Sequence, residues 1–310
     1  MKNNLSPIIL FVYNRLHHTK QTIEALHNNT LAKESELFIY SDAPKNSKVQ
    51  KNVNEVRQYI YSINGFKNIT IIEQKENQGL ANSIINGVTE IINKYGKVIV
   101  LEDDLVTSPY FLKYMNDALG FYQSNKKVWH ISGWNYPTSF DTDQDIYFYR
   151  IMDCWGWATW SDRWKYFEKD TDKLIDSFSK NDINRFNLDR YTNLWRQVKL
   201  NKSGSINTWA IYWYATIFQE DGLCLNPIKS FVQNIGHDGS GEHCNISGYV
   251  DNLSLNTKEN MVFTTKIQED QEIVKQIKQY FKGSTISLYK RIYNKIKTKI
   301  IGYINENSNN

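Results

Sequence analysis

Cysteine is scarce in this sequence, and the three that occur, Cys154, Cys224 and Cys244, are widely separated. An odd and sparse set excludes a disulfide framework, and the three lack the paired spacing of a zinc motif. Reduced thiols in a cytoplasmic protein fit this cysteine usage best.

Long apolar runs are also missing. The run from Pro7 to Tyr13 is too short for the apolar region of a signal peptide followed by a cleavage site. No stretch reaches the roughly 18 consecutive apolar residues that indicate a transmembrane helix. The sequence therefore predicts a cytoplasmic protein that is not integral to a membrane.

The sequence also lacks an excess of basic residues in the body of the protein, the part of the chain before Lys282. The formal net charge is +4, but the tail from Lys282 onward contains six basic residues and only one acidic residue, Glu306. The tail thus accounts for the whole positive excess. A body without a basic face excludes a general nucleic-acid-binding protein.

Aromatic residues, by contrast, are abundant, with 20 Tyr, 14 Phe and 9 Trp in 310 residues. The hydrophobic content of 41% is sufficient for one large core, or for one core with a smaller lobe. Aromatic rings stack on sugars and nucleobases, but they also fill cores. Composition alone leaves both uses open.

The first hundred residues alternate between short apolar runs and segments with helical periodicity. The predicted elements are strand Ile8–Tyr13, helix Thr19–Asn28, strand Leu37–Tyr40, helix Val49–Ile63, strand Ile69–Ile72, helix Ala81–Tyr95 and strand Val98–Leu101. This alternation predicts an α/β fold with a mostly parallel sheet flanked by helices. Ligands bind such sheets at the carboxyl ends of the strands.

The remainder of the chain has a different texture. Ser108 and Pro109 are typical of the start of a helix. Short strands, loops and clustered tryptophans are expected from Trp129 to about residue 250, and a polar helix over Gln268–Phe281. The predicted division is an α/β half at 1–128, a second half of the same domain at 129–265, and C-terminal helices at 266–310.

Three adjacent carboxylates, Glu102, Asp103 and Asp104, follow the last of these buried strands. Like charges ~4 Å apart repel by several kcal/mol at an effective dielectric constant of ~20, so such a group favours a bound cation. Carboxylate oxygens suit Mg²⁺ or Mn²⁺, which also bind a substrate diphosphate. The alternative is an acidic turn that only precedes the next helix, where negative charge is favourable.

In this setting the sequence resembles inverting glycosyltransferases of the GT-A fold, and more narrowly the N-acetylglucosaminyltransferase I type and its bacterial relatives. The resemblance spans roughly residues 6–245. It is carried by five segments in order: the opening strand Pro7–Arg15, the strand tip Ser41-Asp42, the turn Asn77–Gly79, the acidic block Val100–Phe111, and Ile131–Asn135.

The resemblance implies a role for each matching residue. Asp104 contacts the metal, Mn²⁺ or Mg²⁺. The half at 1–128 binds the nucleotide sugar, and the half at 129–265 binds the acceptor. Glu102 and Asp103 face the sugar and ribose hydroxyls. The remaining candidates for contact with a nucleotide sugar, expected to be a UDP-sugar, are Tyr13, Arg15, Ser41, Asp42, Asn77 and Gly79.

One departure from the family pattern concerns the catalytic base. The resemblance implies an Asp after a Trp, but the matching segment reads Trp209-Ala210-Ile211, without a carboxylate. An inverting transferase needs a base for the acceptor proton. Asp153 and Asp238 are the candidates, and each has the alternative of an ordinary structural or solvated Asp.

The acceptor platform is expected in the tryptophan-rich segments, although the same indoles are equally compatible with the core. The candidates are Trp134, Asn135, Trp155, Gly156 and Trp157. The Gly-rich segment Asn234–His243 has the composition of a loop that closes over a diphosphate. His237 or His243 is expected to complete the metal site or to contact phosphate.

The C-terminal segment 288–304 reads as a basic amphipathic helix, which predicts contact with a membrane surface; the alternative is a solvated helix. The overall prediction is a metal-dependent glycosyltransferase of bacterial surface-polysaccharide assembly, located in the cytoplasm, either free or peripheral on the inner membrane face. The acceptor is expected to be a carbohydrate or lipid-linked saccharide. A non-catalytic nucleotide-sugar or carbohydrate-binding protein and a glycoside hydrolase are the alternatives.

Overall fold

The computed structural model describes residues 5–240 and 254–283. His243, Cys244 and the predicted amphipathic helix at 288–304 lie outside these ranges. Within them, no helix combines the length and apolar character needed to cross a bilayer.

The architecture is an α/β fold built on one large sheet. Its strands are β1 (Ile8–Val12), β2 (Glu36–Ser41), β3 (Asn68–Glu73), β4 (Lys97–Glu102), β6 (Val128–Ser132), β7 (Ile146–Tyr149), β8 (Trp157–Trp160) and β9 (Leu223–Pro227). Their order is β3-β2-β1-β4-β8-β6-β9-β7. Two short antiparallel strands, β5 (Leu105–Thr107) and β10 (Val232–Asn234), form a second sheet.

The helices flank this sheet. They are α1 (Leu16–His27), α2 (Gln50–Ile60), α3 (Gly79–Tyr95), α4 (Phe111–Phe121), α5 (Ser161–Trp164), α6 (Thr171–Ser177), α7 (Lys180–Phe186), α8 (Trp195–Lys202), α9 (Ala210–Gln219) and α10 (271–283). A 3₁₀ turn covers Ala32–Glu34. The predicted α/β class and the mostly parallel sheet are confirmed.

Strands β3, β2, β1 and β4 are parallel, which brings their carboxyl ends to one edge of the sheet. Val12 is opposite Ser41, and Phe11 is opposite Glu102. The residues that follow β1, β2 and β4 therefore lie side by side, and the candidate site forms there.

Each face of the sheet has its own core, because alternate residues of a strand point to opposite faces. Phe11, Tyr40 and Val100 pack on the face covered by α3 and α9. Leu10 and Leu101 pack on the face covered by α1, α2 and α4. Both cores are rich in aromatic rings, which accounts for much of the aromatic content.

The expectation of short strands and loops between Trp129 and about residue 250 is wrong for 161–219. This stretch forms five helices, from α5 to α9. In α9 seven consecutive residues, 211–217, are buried, so the helix is apolar on every side and shows no polar stripe. The start of helix α4 also differs from the prediction of a helix that begins at Ser108 and Pro109. The helix begins at Phe111, and Ser108 Oγ accepts only the Tyr110 N–H, in the turn before it.

Candidate active site

A cavity of about 260 Å³ opens at the carboxyl edge of the parallel strands. Its lining comes from the residues after β1, β2 and β4, the first turns of α3, and the loop after β10. The lining residues are Phe11, Val12, Tyr13, Asn14, Arg15, Tyr40, Asp42, Lys45, Asn46, Val49, Asn77, Gly79, Leu80, Ser83, Glu102, Asp103, Asp104 and Ser240. Seven of the eight predicted nucleotide-sugar contacts and Asp104 are among them.

The acidic triplet lies at one end of this cavity. Glu102 is the last residue of β4, and Asp103 and Asp104 form the turn into β5. Both aspartates are buried, whereas Glu102 is half-buried. The β5–β10 pairing holds the turn from the other side, where the Ile235 N–H donates to the Asp104 carbonyl at 2.9 Å.

Arg15 provides the positive charge that faces the triplet. It lies three residues after the end of β1 and directly before the first residue of α1. Its Nη2 contacts Asp103 Oδ1 and lies 2.8 Å from Asp104 Oδ2, so one guanidinium serves two carboxylates. Because three carboxylates face one guanidinium, this group of charges has an excess of negative charge.

The pKa values of two of these carboxylates are raised. Burial raises the pKa of Glu102 above its ordinary value, and the charges of Asp104 and Asp103 raise it further. Burial also raises the pKa of Asp103, although the charge of Arg15 opposes the shift. Asp103 Oδ2 is buried without a hydrogen-bond partner among the described residues.

The triplet can bind a divalent cation through one or two of its carboxylates. In residues 5–240 and 254–283, no group of three or more His, Cys, Asp or Glu side chains is arranged to hold a metal alone. Magnesium commonly binds through one or two carboxylates and takes its other oxygens from substrate phosphates and water. The unpartnered Asp103 Oδ2 beside Asp104, with the uncompensated negative charge, fits that mode of binding.

The loop after β10 covers the triplet. A Cβ at Gly236 would lie 2.1 Å from Asp104 Oδ2, so only glycine fits without displacement of this loop or the carboxylate. Asp238 Oδ2 lies 3.2 Å from His18 Nε2, and Ser240 lines the cavity. The described part of the predicted closing loop therefore already lies against the acidic end, while His243 falls outside the described residues.

At the other end of the cavity, Asp42 is held by protein donors. Its Oδ1 accepts the N–H groups of Ala43 at 2.8 Å and Gln78 at 2.9 Å. Its Oδ2 accepts the Gly79 N–H at 2.9 Å and Asn77 Nδ2 at 3.1 Å. Ser41, in contrast, is fully buried outside the cavity, where its Oγ accepts Arg57 Nε at 3.2 Å.

Comparison with known proteins now identifies the family. The sequence model described as "Glycosyl transferase family 2" matches residues 8–163, just over half of the chain. The chain belongs to glycosyl transferase family 2. The prediction of a nucleotide-sugar glycosyltransferase with an α/β fold of the GT-A type is thus confirmed, whereas the narrower N-acetylglucosaminyltransferase I resemblance stays a prediction.

Two further comparisons add little to the family assignment. Among solved structures, the chain is similar to a mannosyltransferase, PcManGT from Pyrobaculum calidifontis, in complex with GDP-Man and Mn²⁺. The TM-score is 0.36 and the identity 11%, over 70% of this chain and 71% of that one. Similarity this low supports no inference about donor or metal. No curated protein sequence matches the chain.

On the acceptor side of this family 2 protein, the tryptophans divide between core and site. Trp157 is 1% exposed and stacks on Trp209, with 5.0 Å between ring centroids, so its indole belongs to the core. Trp155 is half-buried and packs edge-on against Trp134 at 4.8 Å and against His237 at 5.4 Å. Trp155 therefore contacts both the loop over the triplet, through His237, and a second residue of the predicted acceptor platform, Trp134.

Two other predicted platform residues have structural contacts. Asn135 is 2% exposed; its Nδ2 donates to the Ile228 carbonyl at 2.7 Å, and its Oδ1 accepts the Tyr147 hydroxyl at 2.8 Å. Gly156 accepts the Gly133 N–H through its carbonyl at 2.7 Å. The backbone of Gly156 is thus held against that of Gly133.

The two candidate bases differ in their surroundings. The Asp153 carbonyl accepts His130 Nε2 at 2.9 Å, and its Oδ1 accepts the Trp155 N–H at 3.0 Å. Burial lowers the pKa of His130 to about 3, so this imidazole is neutral. Asp238 is half-exposed, and hydrogen bonds from the hydroxyl and N–H of Ser240 hold its pKa below the ordinary value.

The cavity residues that were not among the predicted site residues include Lys45, Asn46, Val49, Leu80 and Ser83. Leu80 and Ser83 lie on the first turns of α3. The periodicity of this helix predicts which of its residues are buried, but it does not predict which of them line the cavity. Ser83 Oγ is buried and has no partner among the described residues. The rest lie just beyond the β2 tip, where Tyr13 accepts the Lys45 N–H at 3.0 Å.

Proposed function

We propose that this family 2 glycosyltransferase transfers a sugar from a UDP-sugar to an acceptor hydroxyl with inversion of the anomeric centre, assisted by Mn²⁺ or Mg²⁺. The observation that carries the proposal is the acidic triplet at the end of the cavity, where a single guanidinium faces three carboxylates. This charge balance favours a divalent cation together with an anionic diphosphate.

In this proposal the residues around the cavity have separate roles. Asp104, with Asp103 beside it, would hold the cation, which when bound would supply positive charge next to the diphosphate. Arg15 reaches the same end of the cavity and binds phosphate oxygens. The loop of Gly236 and Asp238 excludes water from the reacting bond, which limits hydrolysis of the donor.

Asp153 is the proposed general base. A base works best when its pKa lies near the operating pH, which disfavours Asp238 because Ser240 lowers its pKa. The charges of Asp153, Glu102 and Asp104 all raise the pKa of the intervening Cys154 thiol, after the larger effect of burial. Asp153 does not line the cavity itself, but its Oδ1 accepts the N–H of Trp155, whose ring packs against His237 in the loop over the triplet.

The setting that we propose is bacterial surface-polysaccharide assembly, with a carbohydrate or lipid-linked saccharide as acceptor. The basic segment 288–304 would hold the enzyme at an anionic membrane surface. Sedimentation with vesicles that contain anionic lipid tests this part, and binding that survives deletion of 288–304 contradicts it.

The test of the function is release of UDP from UDP-sugars in the presence of Mn²⁺ or EDTA. Turnover that requires the metal and disappears in Asp104→Ala supports the proposal. The matched control is Asp117→Ala, which removes an exposed carboxylate of α4 that is paired with Lys113. Metal-independent cleavage of a glycoside indicates a hydrolase, and UDP binding without turnover indicates a non-catalytic binding protein.

A further inference from the structure

His130, on β6, is a polar side chain that lies fully inside the core. It is 0% exposed, and its ring stacks on the indole of Trp157 with 5.4 Å between ring centroids. Among the described residues it is not part of the lining of the donor cavity. Polar atoms buried in this way need hydrogen-bond partners. One partner of His130 belongs to the segment that carries Asp153.

The two ring nitrogens of His130 have partners of opposite kinds. Nδ1 lies 3.2 Å from Nε1 of Trp213 on α9, and an indole N–H can only donate. Nε2 lies 2.9 Å from the Asp153 carbonyl oxygen, which can only accept. The imidazole is therefore neutral and carries its one proton on Nε2. Burial agrees with this form, because it lowers the pKa of His130 to about 3.

The bond to the Asp153 carbonyl reaches a part of the chain without regular secondary structure, between the end of β7 and the start of β8. Asp153 Oδ1 accepts the Trp155 N–H at 3.0 Å, so Asp153 and Trp155 form one turn. The Trp155 ring in turn packs against His237 at 5.4 Å. A shift of the Asp153 carbonyl would therefore move both the carboxylate and the Trp155 ring.

We infer that His130 is a positioning residue, which holds the Asp153 carbonyl through Nε2–H and so sets the place of the Asp153 carboxylate and of the Trp155 ring. This inference rests on the proposed function, because Asp153 is the proposed base. A displacement of ~1 Å at a reacting group can lower the rate by about 10²-fold. The alternative is that His130 only fills the core.

Two amide substitutions separate these roles. The side chain of His130→Gln is long enough to place an amide N–H near the position of Nε2, so it keeps a donor for the Asp153 carbonyl. The shorter side chain of His130→Asn places its amide oxygen near the position of Nδ1, so it keeps the acceptor for Trp213 and loses the donor. Both variants lose the ring that stacks on Trp157. If His130 only fills the core, both variants affect turnover alike.

The kinetic experiment measures kcat and the donor KM for UDP-sugar turnover with Mn²⁺. We expect His130→Asn to lower kcat by about 10- to 100-fold with an unchanged KM, and His130→Gln to stay within about threefold of wild type. Leu119→Ala, in the buried part of α4, is the destabilised control that retains kcat.

A second readout does not depend on activity. Long-range ¹H–¹⁵N correlation spectra of the full chain with ¹⁵N-labelled histidine report the tautomer, and the signal of His130 is the one missing in His130→Gln. We expect the Nε2–H pattern at pH 5, where an imidazole with an ordinary pKa of about 6.5 is doubly protonated. Hydrogen exchange of the Trp155 amide should be faster in His130→Asn and unchanged in His130→Gln.

Equal loss of kcat in the two amide variants would overturn the inference, as would an unchanged kcat in His130→Asn. A ring that is doubly protonated at pH 5, or that carries its proton on Nδ1, would also contradict it. If wild type turned over no UDP-sugar, the proposed function would fail, while the tautomer and the exchange of the Trp155 amide would still decide whether His130 holds this segment.

Discussion

Arg15 and Asp104 are joined by a 2.8 Å contact between Nη2 and Oδ2, across the ends of two neighbouring parallel strands. The same Nη2 also contacts Asp103, so two of the three carboxylates share one positive charge. A divalent cation at Asp104 and the guanidinium of Arg15 would therefore compete for the same oxygen atoms, unless a diphosphate gives Arg15 another partner.

Replacement of Arg15 by Met is expected to strengthen metal binding in the absence of nucleotide and to weaken nucleotide binding. Without the competing guanidinium, the affinity for Mn²⁺ alone should rise by about five- to tenfold, at the lower end of typical coupling free energies. Titration of Mn²⁺ followed by electron paramagnetic resonance measures this directly. Lys113→Met, which removes a cation paired with Asp117 on α4, is the control. Weaker Mn²⁺ binding by Arg15→Met would show that Arg15 does not compete with the cation.

Glu102→Gln should stabilise the metal-free protein, and more strongly as pH rises. Burial, followed by the charges of Asp104 and Asp103, raises the pKa of Glu102 in the folded protein above its unfolded value. The folded state then keeps a proton that the unfolded state loses, so wild-type stability falls as pH increases from the unfolded pKa through the folded pKa. The amide removes this loss.

The measurement is the difference in Tm between Glu102→Gln and wild type in EDTA at pH 5 and pH 8. We expect this difference to grow by about 2–4 °C between the two pH values. Glu55→Gln, which alters a carboxylate near Lys51 on α2, should show no such growth. A difference that shrinks with pH would contradict the account of the carboxylate cluster.

The sequence allowed a correct prediction of the part of the fold that depends on local pattern. Strands β1, β2, β3 and β4 are apolar runs with clear ends, and α3 has a regular apolar stripe. Because parallel strands bring their carboxyl ends to one edge of the sheet, the sequence pattern predicted that Arg15, Asp103 and Asp104 lie at the same edge. The pairing of β1 with β4, which makes them neighbours, is seen in the structure.

Other features depend on tertiary contacts, which no local pattern contains. The burial of α9 on all sides removed the periodicity that identifies a surface helix. Trp157 and Trp155 are two residues apart in the same motif, yet only the former is stacked inside the core. The four donors of Asp42 come from both β2 and the start of α3, so the saturation of this carboxylate was visible only in the structure.

Gly236→Ala is expected to impair donor binding with little effect on the fold. The new Cβ would lie 2.1 Å from Asp104 Oδ2, so either the loop or the carboxylate must move. We expect the KM for the donor to rise by about tenfold or more, equivalent to ~1.4 kcal/mol. Gly120→Ala on α4 meets no atom within 4 Å and should leave KM unchanged. An unchanged KM in Gly236→Ala would mean that this loop does not control the geometry of Asp104.

Asp153→Asn and Asp238→Asn together test the assignment of the base. Loss of a general base typically lowers kcat by about 10²–10⁴-fold, and we expect this loss for Asp153→Asn with unchanged UDP affinity. Asp238→Asn should retain most of kcat, because its half-exposed carboxylate acts on the loop through Ser240 and His18. The opposite pattern, with kcat lost only in Asp238→Asn, would transfer the base to the loop.

The central claim is that a divalent cation binds at Asp104 and joins the protein to a diphosphate. Crystals grown with UDP and Mn²⁺, measured at the manganese absorption edge, test it most directly. We predict an anomalous peak about 2 Å from an Asp104 oxygen and from phosphate oxygens, with Arg15 moved toward the phosphates. Bound UDP with no anomalous peak at Asp104, and with Arg15 still paired to Asp103 and Asp104, would contradict the claim.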